Sequence, residues 1–284
     1  MSEIDGPMDK IQKHTEVIVV KVGGRFFDEL LESKKEACEH QSHPLLEAMK
    51  VLQNRGKKLV LVHGGGDQVQ QQLKALNMHS EKLNGLRVTP FSHMPIVAGV
   101  LSGYLNKTLV AHSIAFGMPA VGITLADGGI SLCQPLDTAL GAVGKPEAKS
   151  NALLSAILNA NMLPVVASIG CDEHAKLYNV NADHAATCIA QLLNAQLLLL
   201  SDVSGVLDKD KTKLTTLSAK HADEMIAQGH ITDGMIVKVK AAQESADLLA
   251  SPVTIGSWNE LSVLAESVAD AGETSFGTQI YPRV

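Results

Sequence analysis

Aromatic side chains are scarce in this 284-residue sequence, at 3% of all residues. Few surfaces are therefore available for stacking against bases, which argues against single-stranded nucleic acid as a partner. The formal net charge is −6, and the sequence contains no basic stripe. Nucleic acid and anionic membrane surfaces are thus both poor candidates for a partner.

Cysteine is also scarce, and no two cysteines form a CxxC pair. The four are widely separated along the chain: Cys38, Cys133, Cys171 and Cys188. This spacing predicts free thiols in a reducing compartment. No apolar run approaches the roughly 20 residues of a membrane-spanning helix. Residues 1–16 are polar and lack the apolar centre of a signal peptide, so we predict a cytoplasmic protein without a membrane partner.

Hydrophobic residues make up 45% of the sequence and charged residues 19%. Short apolar runs that end in small or polar residues alternate with amphipathic segments, which favours an α/β fold with a mainly parallel sheet and helices on both faces. Ser92 is a candidate cap for a long helix that continues to about Gly117. The pattern also predicts a β-hairpin from Ala120 to Gln134 around an Asp-Gly-Gly turn, and a loop from Gly141 to Lys149.

The first apolar run, Val17 to Val22, contains Lys21 and is followed by Gly23 and Gly24. At the carboxyl end of a parallel strand, Lys21 would point into the crevice where open α/β sheets bind ligands. The two glycines would let an anion approach the backbone closely. The segment is equally consistent with a lysine that extends to water before an ordinary turn.

The second run, Lys58 to His63, ends in Gly64, Gly65 and Gly66. A glycine-rich turn before a helix offers free amide donors to an anion. No GK[ST] follows, so the turn is not a Walker A loop. An HGGG sequence also forms the oxyanion hole of α/β-hydrolases, but that function requires a GxSxG nucleophile that this sequence lacks. We interpret His63 as structural.

Two further motifs, NGLRVT and NVNAD, contain polar residues that could bind a ligand. Arg87, in NGLRVT, is suited to bidentate binding of a carboxylate, although a surface arginine with a local acidic partner would look the same. Asn179, Asn181 and Asp183, in NVNAD, come before a helix. One of them could simply cap that helix, but three are more than one cap needs.

Lysines, glycine turns, an aspartate and an arginine together favour phosphoryl transfer, which depends on positioning and charge stabilisation. The sequence offers no obvious general base. A carboxylate acceptor needs none, because its ordinary pKa of about 4.3 leaves it ionised at neutral pH. The acceptor is therefore predicted to be a carboxylate.

Six motifs in order resemble the amino acid kinase family from about Val17 onward: KVGG, LVHGGG, NGLRVT, YNVNAD, LLSDVSG and ITDGMIVKV. The resemblance implies an open αβα sandwich with two lobes. Residues 17–195 would bind the amino acid and form a homodimer, residues 196–284 would bind ATP, and residues 1–16 would be an extension. NGLRVT and NVNAD are most similar to members that phosphorylate the γ-carboxylate of N-acetyl-L-glutamate in arginine biosynthesis.

The resemblance also implies a role for individual residues. Lys21 and Lys238 would flank the transferred phosphoryl group, and Asp183 would orient both lysines. The substrate-binding set would be Gly64, Gly65, Gly66, Arg87, Asn179 and Asn181. The nucleotide-binding set would be Lys21, Gly23, Gly24, Ser201, Asp202, Asp233, Gly234, Met235 and Lys238. No protein ligand for a metal is implied, and Mg²⁺ would be held mainly by the phosphates of ATP.

The sequence also bears on regulation by arginine and on the choice of acceptor. The short extension and the C-terminal sequence ADAGETSFGTQI do not resemble the corresponding parts of arginine-inhibited hexameric members, so we predict an arginine-insensitive homodimer. Glutamate or an aminoadipate derivative remains an alternative acceptor. A regulator that binds an amino acid on a kinase scaffold is a further alternative, because fold alone does not establish activity. The presence of Lys21, Lys238 and Asp183 argues against it.

Overall fold

A computed structural model describes residues 16–32, 43–83, 85–270 and 276–283 of the chain. Its main sheet has eight strands. From edge to edge they are β12 (Thr216–Leu217), β14 (Thr278–Ile280), β13 (Val253–Ser257), β11 (Gln196–Ser201), β1 (Val17–Val22), β2 (Lys58–His63), β8 (Leu163–Ala167) and β5 (Ala120–Thr124). All neighbours run parallel except β13 and β14. The predicted mainly parallel sheet is therefore confirmed.

Helices cover both faces of this sheet, because successive residues of each strand point to opposite sides. Ile18 and Val20 pack into one core and Val19 into the other. The first core receives α1 (Gly24–Glu32), α2 (Pro44–Asn54), α3 (Gly66–Ala75) and α10 (Leu261–Asp270). The second core receives α6 (Ala152–Asn159), α7 (Ala182–Leu193), α8 (Ala219–Ala227) and α9 (Asp233–Leu249). The αβα layering predicted from the sequence is thus present.

The long helical segment predicted from Ser92 is present on the first face, but Ser92 does not cap it, because Ser92 lies inside a 3₁₀ turn that no side chain caps. The segment comprises a 3₁₀ turn (Phe91–His93), α4 (Met94–Ala98), a π-helical stretch (Gly99–Leu105) and α5 (Asn106–Ala115). π-Helical turns often accompany functional sites. Here the π-helical stretch is followed directly by Asn106, a fully buried polar residue whose Nδ2 donates to the carbonyl of Val165 at 2.9 Å.

The predicted hairpin and loop are both wrong. β5 lies in the main sheet beside β8, whereas β6 (Ser131–Pro135) belongs to a second, four-stranded sheet. The supposed loop forms β7 (Val143–Ala148), which pairs with β6. β9 (Ile169–Cys171) and β10 (Leu177–Val180) complete that sheet, and β3 (Lys82–Leu83) with β4 (Leu86–Arg87) forms a small ribbon.

The sheet order separates the two segments predicted as lobes. β1, β2, β5 and β8 come from residues 17–195 and occupy one half of the main sheet, while the strands after residue 195 occupy the other half. The division into functional lobes stays a prediction.

Within the described residues, no helix is long and apolar enough to span a membrane. Cys133, Cys171 and Cys188 are free thiols, as predicted, while Cys38 and residues 1–15 lie outside the described part.

Candidate active site

A cleft of about 240 Å³ opens at the carboxyl ends of β1 and β2. After β1 the chain continues to β2 on one side, and after β11, the other neighbour of β1, it continues to strands on the opposite side, so the direction of the chain switches between β1 and β11. Open α/β sheets bind ligands at such switch points. The predicted site residues that line the cleft are Lys21, Gly23, Gly24, Gly64, Gly65, Gly66, Arg87, Asn179, Asn181 and Asp183.

Lys21 forms an ion pair with Asp183, which lies at the start of α7. Lys21 shares the strand face of Val19, the face that α7 covers. Asp183 lies in the first turn of α7, and its Oδ1 is 2.7 Å from Lys21 Nζ. The side chain of Asn181 caps this helix by accepting from the amide of Asp183 at 2.7 Å. The cap reading of Asn181 is thus correct, and Asn181 also lines the cleft.

Lys238 is held by a different aspartate. Lys238 Nζ donates to Ser201 Oγ at 3.0 Å and lies 3.5 Å from Asp202 Oδ1. Ser201 is the last residue of β11, the strand next to β1. Asp183 therefore contacts Lys21 and not Lys238, which pairs with Asp202, and the orienting role of Asp183 stays a prediction.

Asp202 also accepts a hydrogen bond from Arg25, which follows the first glycine pair. Burial raises the pKa of the Asp202 carboxyl, but the hydrogen bond from Arg25 and the charge of Lys238 outweigh it, and the pKa lies below its ordinary value. Asp202 is therefore a carboxylate at neutral pH and can hold both cations.

Each glycine turn contains a position where a side chain would crowd the wall of the cleft, Gly24 in the first turn and Gly65 in the second. A Cβ on Gly65 would sit 2.2 Å from Leu105 Cδ1 in the long helical segment, far closer than atoms can approach. A Cβ on Gly24 would sit 3.1 Å from Gln68 Oε1. α3 begins at Gly66, which lines the cleft, so the amides of its first turn have no helical partners and can receive an anion.

His63, at the end of β2, is structural, in agreement with the interpretation from the sequence. Its Nδ1 lies 2.8 Å from the carbonyl of Gly64, and its Nε2 lies 3.2 Å from Asn106 Nδ2. The histidine is fully buried, and this burial lowers its pKa to about 4. A neutral ring that donates from Nδ1 and accepts at Nε2 satisfies both contacts, so His63 fixes the glycine turn to the long helical segment.

Arg87 reaches the cleft from β4 and is 9% exposed. Its Nη2 donates to the carbonyl of Gly66 at 2.6 Å, and its Nη1 donates to Gln70 and Ser80. Burial lowers the pKa of the guanidinium, and the Asp67 carboxylate opposes that shift. No side-chain ion pair of Arg87 is present among the described residues. A positioned cation of this kind suits a carboxylate ligand.

Asn179 enters from the second sheet, whose strand β10 carries it to the cleft. Its Nδ2 donates to Thr89 Oγ1 at 3.2 Å.

The sequence analysis did not predict three residues of this region: Gln68, Thr89 and Arg25. Gln68 joins the two glycine turns, because its Nε2 donates to the carbonyl of Gly24 at 3.0 Å and to Asp28 Oδ1 at 2.8 Å. Its place two residues after HGGG was the available signal.

The remaining predicted nucleotide residues lie at the start of α9. Asp233 is the first residue of this helix, and its side chain lies outside the described part. Gly234 and Met235 lie one turn before Lys238, so they share its side of the helix. Among the described side chains, no group of three or more His, Cys, Asp or Glu residues could hold a metal. Asp183 and Asp202 are both already paired with lysines.

Comparison with known proteins agrees with this geometry. The sequence model of the amino acid kinase family matches residues 16–257. Acetylglutamate kinase of Vibrio campbellii is 43% identical over 267 residues, which cover 94% of this chain and 97% of that protein. Acetylglutamate kinase of Pectobacterium carotovorum is 46% identical over 241 residues, or 85% and 91% of the two chains.

Solved structures show the same fold. A crystal structure of a Streptococcus mutans protein superposes with a TM-score of 0.73 at 27% identity, covering 94% of this chain and 99% of that chain. N-acetylglutamate synthase from Neisseria gonorrhoeae, complexed with coenzyme A and N-acetyl-glutamate, gives a TM-score of 0.75 at 20% identity, over 94% of this chain and 60% of that chain, and supports the fold alone. The sequence match and the site geometry together show that the chain belongs to the amino acid kinase family.

Proposed function

We propose that the protein transfers the γ-phosphoryl group of ATP to the γ-carboxylate of N-acetyl-L-glutamate, giving N-acetyl-L-glutamyl 5-phosphate, a step of arginine biosynthesis. The observation that carries the proposal is a pair of lysines at the carboxyl ends of two adjacent strands. Lys21, near the end of β1, pairs with Asp183 beside the two glycine turns, and Lys238 of α9 bonds Ser201 at the end of β11 and pairs with Asp202. The substrate assignment rests on relatives at 43% and 46% identity that are named acetylglutamate kinase.

The reaction needs charge neutralisation more than proton transfer. A carboxylate oxygen of the acceptor attacks the γ-phosphorus, a new O–P bond forms, and the bond from that phosphorus to the β,γ-bridging oxygen breaks, releasing ADP. Lys21 and Lys238 would stabilise charge on the transferred group, and the amides at the start of α3 would bind its oxygens. The acceptor is already ionised, so no general base is required.

Binding of the acceptor would depend on Arg87 and Asn179. Arg87 would pair with the α-carboxylate, and Asn179 would bond the acetylamino group. Mg²⁺ would be held by the nucleotide phosphates, where it would supply further neutralisation of charge. The donor set agrees with that arrangement, because Asp183 and Asp202 each already neutralise a lysine.

The experiment is ADP release from MgATP with N-acetyl-L-glutamate as acceptor and free glutamate as the control. Hydroxylamine should trap the acyl phosphate product. We expect activity with the acetylated acceptor alone, because an unpaired polar group in the acetyl pocket penalises glutamate. Activity with glutamate instead would make the protein a glutamate kinase, and silence with both acceptors would refute the proposal.

We further propose that the protein is a cytoplasmic homodimer in which the long helical segment contacts its copy. Three large apolar side chains on that segment support the dimer: Phe91, Tyr104 and Ile114 are 50%, 57% and 55% exposed. Where exposed apolar side chains form a contiguous patch, they often mark a protein–protein contact.

A further inference from the structure

Arg25 occupies a position between the two halves of the site that neither the sequence motifs nor the lysine pairs explain. It is the second residue of α1, directly after Gly24. Its guanidinium Nη1 donates to Asp202 Oδ2. Arg25 comes from residues 17–195 and Asp202 from residues 196–284, so this contact joins the two segments predicted as lobes.

The Arg25 side chain is 72% exposed, so packing does not dictate where its guanidinium lies. Asp202 in turn uses its other oxygen toward Lys238, with Oδ1 lying 3.5 Å from Lys238 Nζ. Lys238 also donates to Ser201 Oγ. The four side chains therefore form one chain of contacts from α1, across the end of β11, to α9.

A carboxylate that faces only Lys238 could rotate and withdraw one of the two groups that hold the ammonium. An arginine with a planar fork of donors fixes the orientation of the carboxylate that it binds. We propose that Arg25 is a positioning residue: it orients Asp202 and thereby places Lys238 for phosphoryl transfer. The inference rests on the proposed function and assigns the role to a residue outside the predicted site.

A positioning role for Arg25 can be distinguished experimentally from a role in folding. Exposed ion pairs add little to stability, so Arg25→Met should leave the melting temperature nearly unchanged. Loss of the contact should reduce kcat about tenfold and leave the KM for N-acetyl-L-glutamate unchanged. Arg25→Lys keeps the charge but not the fork, so it should recover only part of the rate. Arg55→Met is the matched control, because Arg55 is an exposed arginine before the amino end of β2, whereas the cleft lies at the carboxyl ends of the strands.

The decisive experiment is a double-mutant cycle with Arg25→Met and Asp202→Asn, measured on kcat. If Arg25 acts through Asp202, then Arg25→Met should lower the rate of the wild type about tenfold but add less than twofold to the loss in Asp202→Asn. Independent losses that multiply would overturn the proposal and indicate a direct contact with the nucleotide. A wild-type rate for Arg25→Met would also overturn it.

The same cycle is repeated on the affinity of a non-hydrolysable ATP analogue, measured by calorimetry. This measurement requires no acceptor, so it tests Arg25 even if the proposed acceptor is wrong. Arg25→Met should weaken the analogue in the wild type and have no further effect in Asp202→Asn. Unchanged affinity in Arg25→Met, or an equal loss in both backgrounds, would contradict the role independently of the proposed reaction.

Discussion

Lys238 and Asp202 show how far individual side chains could be predicted. The motif around Lys238 predicts a phosphate-site residue, but only the structure shows that Asp202, and not Asp183, is its partner. The two aspartates lie in different motifs, and which lysine each one reaches depends on how β1 and β11 are placed side by side. That adjacency is a tertiary feature that no local pattern encodes.

Lys238→Ala should lower kcat by a factor of about 10² or more, because it removes the cation that we propose stabilises charge in the transition state. The side chain is 35% exposed, so the fold should be retained. Steady-state ADP release and a melting curve would check both statements. Lys240→Ala is the control, since Lys240 is exposed on the same helix. Near-wild-type turnover in Lys238→Ala would remove Lys238 from the site.

Arg87→Ala should mainly raise the KM for N-acetyl-L-glutamate, by about 10- to 100-fold, because Arg87 would bind a carboxylate that does not react. Its contacts with Gln70, Ser80 and the carbonyl of Gly66 also disappear, so a modest loss of stability should accompany the change. The KM for ATP is the internal control and should hardly change. A loss confined to kcat would contradict the assigned role.

Among the secondary-structure elements, the main sheet could be predicted from the sequence and the second sheet could not. The buried parallel strands and their helices were predicted because each carries a strong local pattern. The second sheet was missed because β7 contains Gly144 and Pro146, which are typical of loops. Pro146 is accommodated because β10 pairs only with Val143 and Gly144, so β7 is an edge strand at Pro146. The Asp-Gly-Gly segment suggested a hairpin, yet it carries the chain from one sheet to the other.

The contact between β2 and the long helical segment should make stability depend on pH through His63. The pKa of His63 is about 4 in the folded protein and about 6.5 when the residue is exposed. Below pH 6.5 the unfolded chain therefore binds a proton that the folded chain does not. The stabilisation is complete above pH 6.5, and about 2 kcal/mol of it should be lost at pH 5.

Urea unfolding at pH 7 and pH 5 would measure this loss. His63→Asn removes the titrating ring, so its free energy of unfolding should vary less between the two pH values than that of the wild type. His221→Gln, which alters an exposed histidine on α8, should keep the wild-type dependence. An unchanged dependence in His63→Asn would show that other groups cause the loss.

At the scale of the whole molecule, the sheet order brings together motifs that lie far apart in the sequence. Lys21 and Lys238 are separated by most of the chain, yet β1 and β11 are neighbours and α7 and α9 cover the same face. The site therefore forms only when both halves of the sheet are assembled. Arg25 adds a polar contact between these halves at the carboxyl edge of the strands.

The predicted homodimer can be tested by the mass of the protein in solution. Light scattering after gel filtration should give about twice the chain mass of 30.1 kDa. The paired change Tyr104→Asp and Ile114→Asp should shift the protein to a monomer, because charges would replace the exposed apolar side chains of the long helical segment. Leu248→Asp alters a similarly exposed side chain on α9, at 62%, and should leave the dimer intact. A hexamer, or inhibition of the wild type by arginine, would contradict the predicted arginine-insensitive dimer.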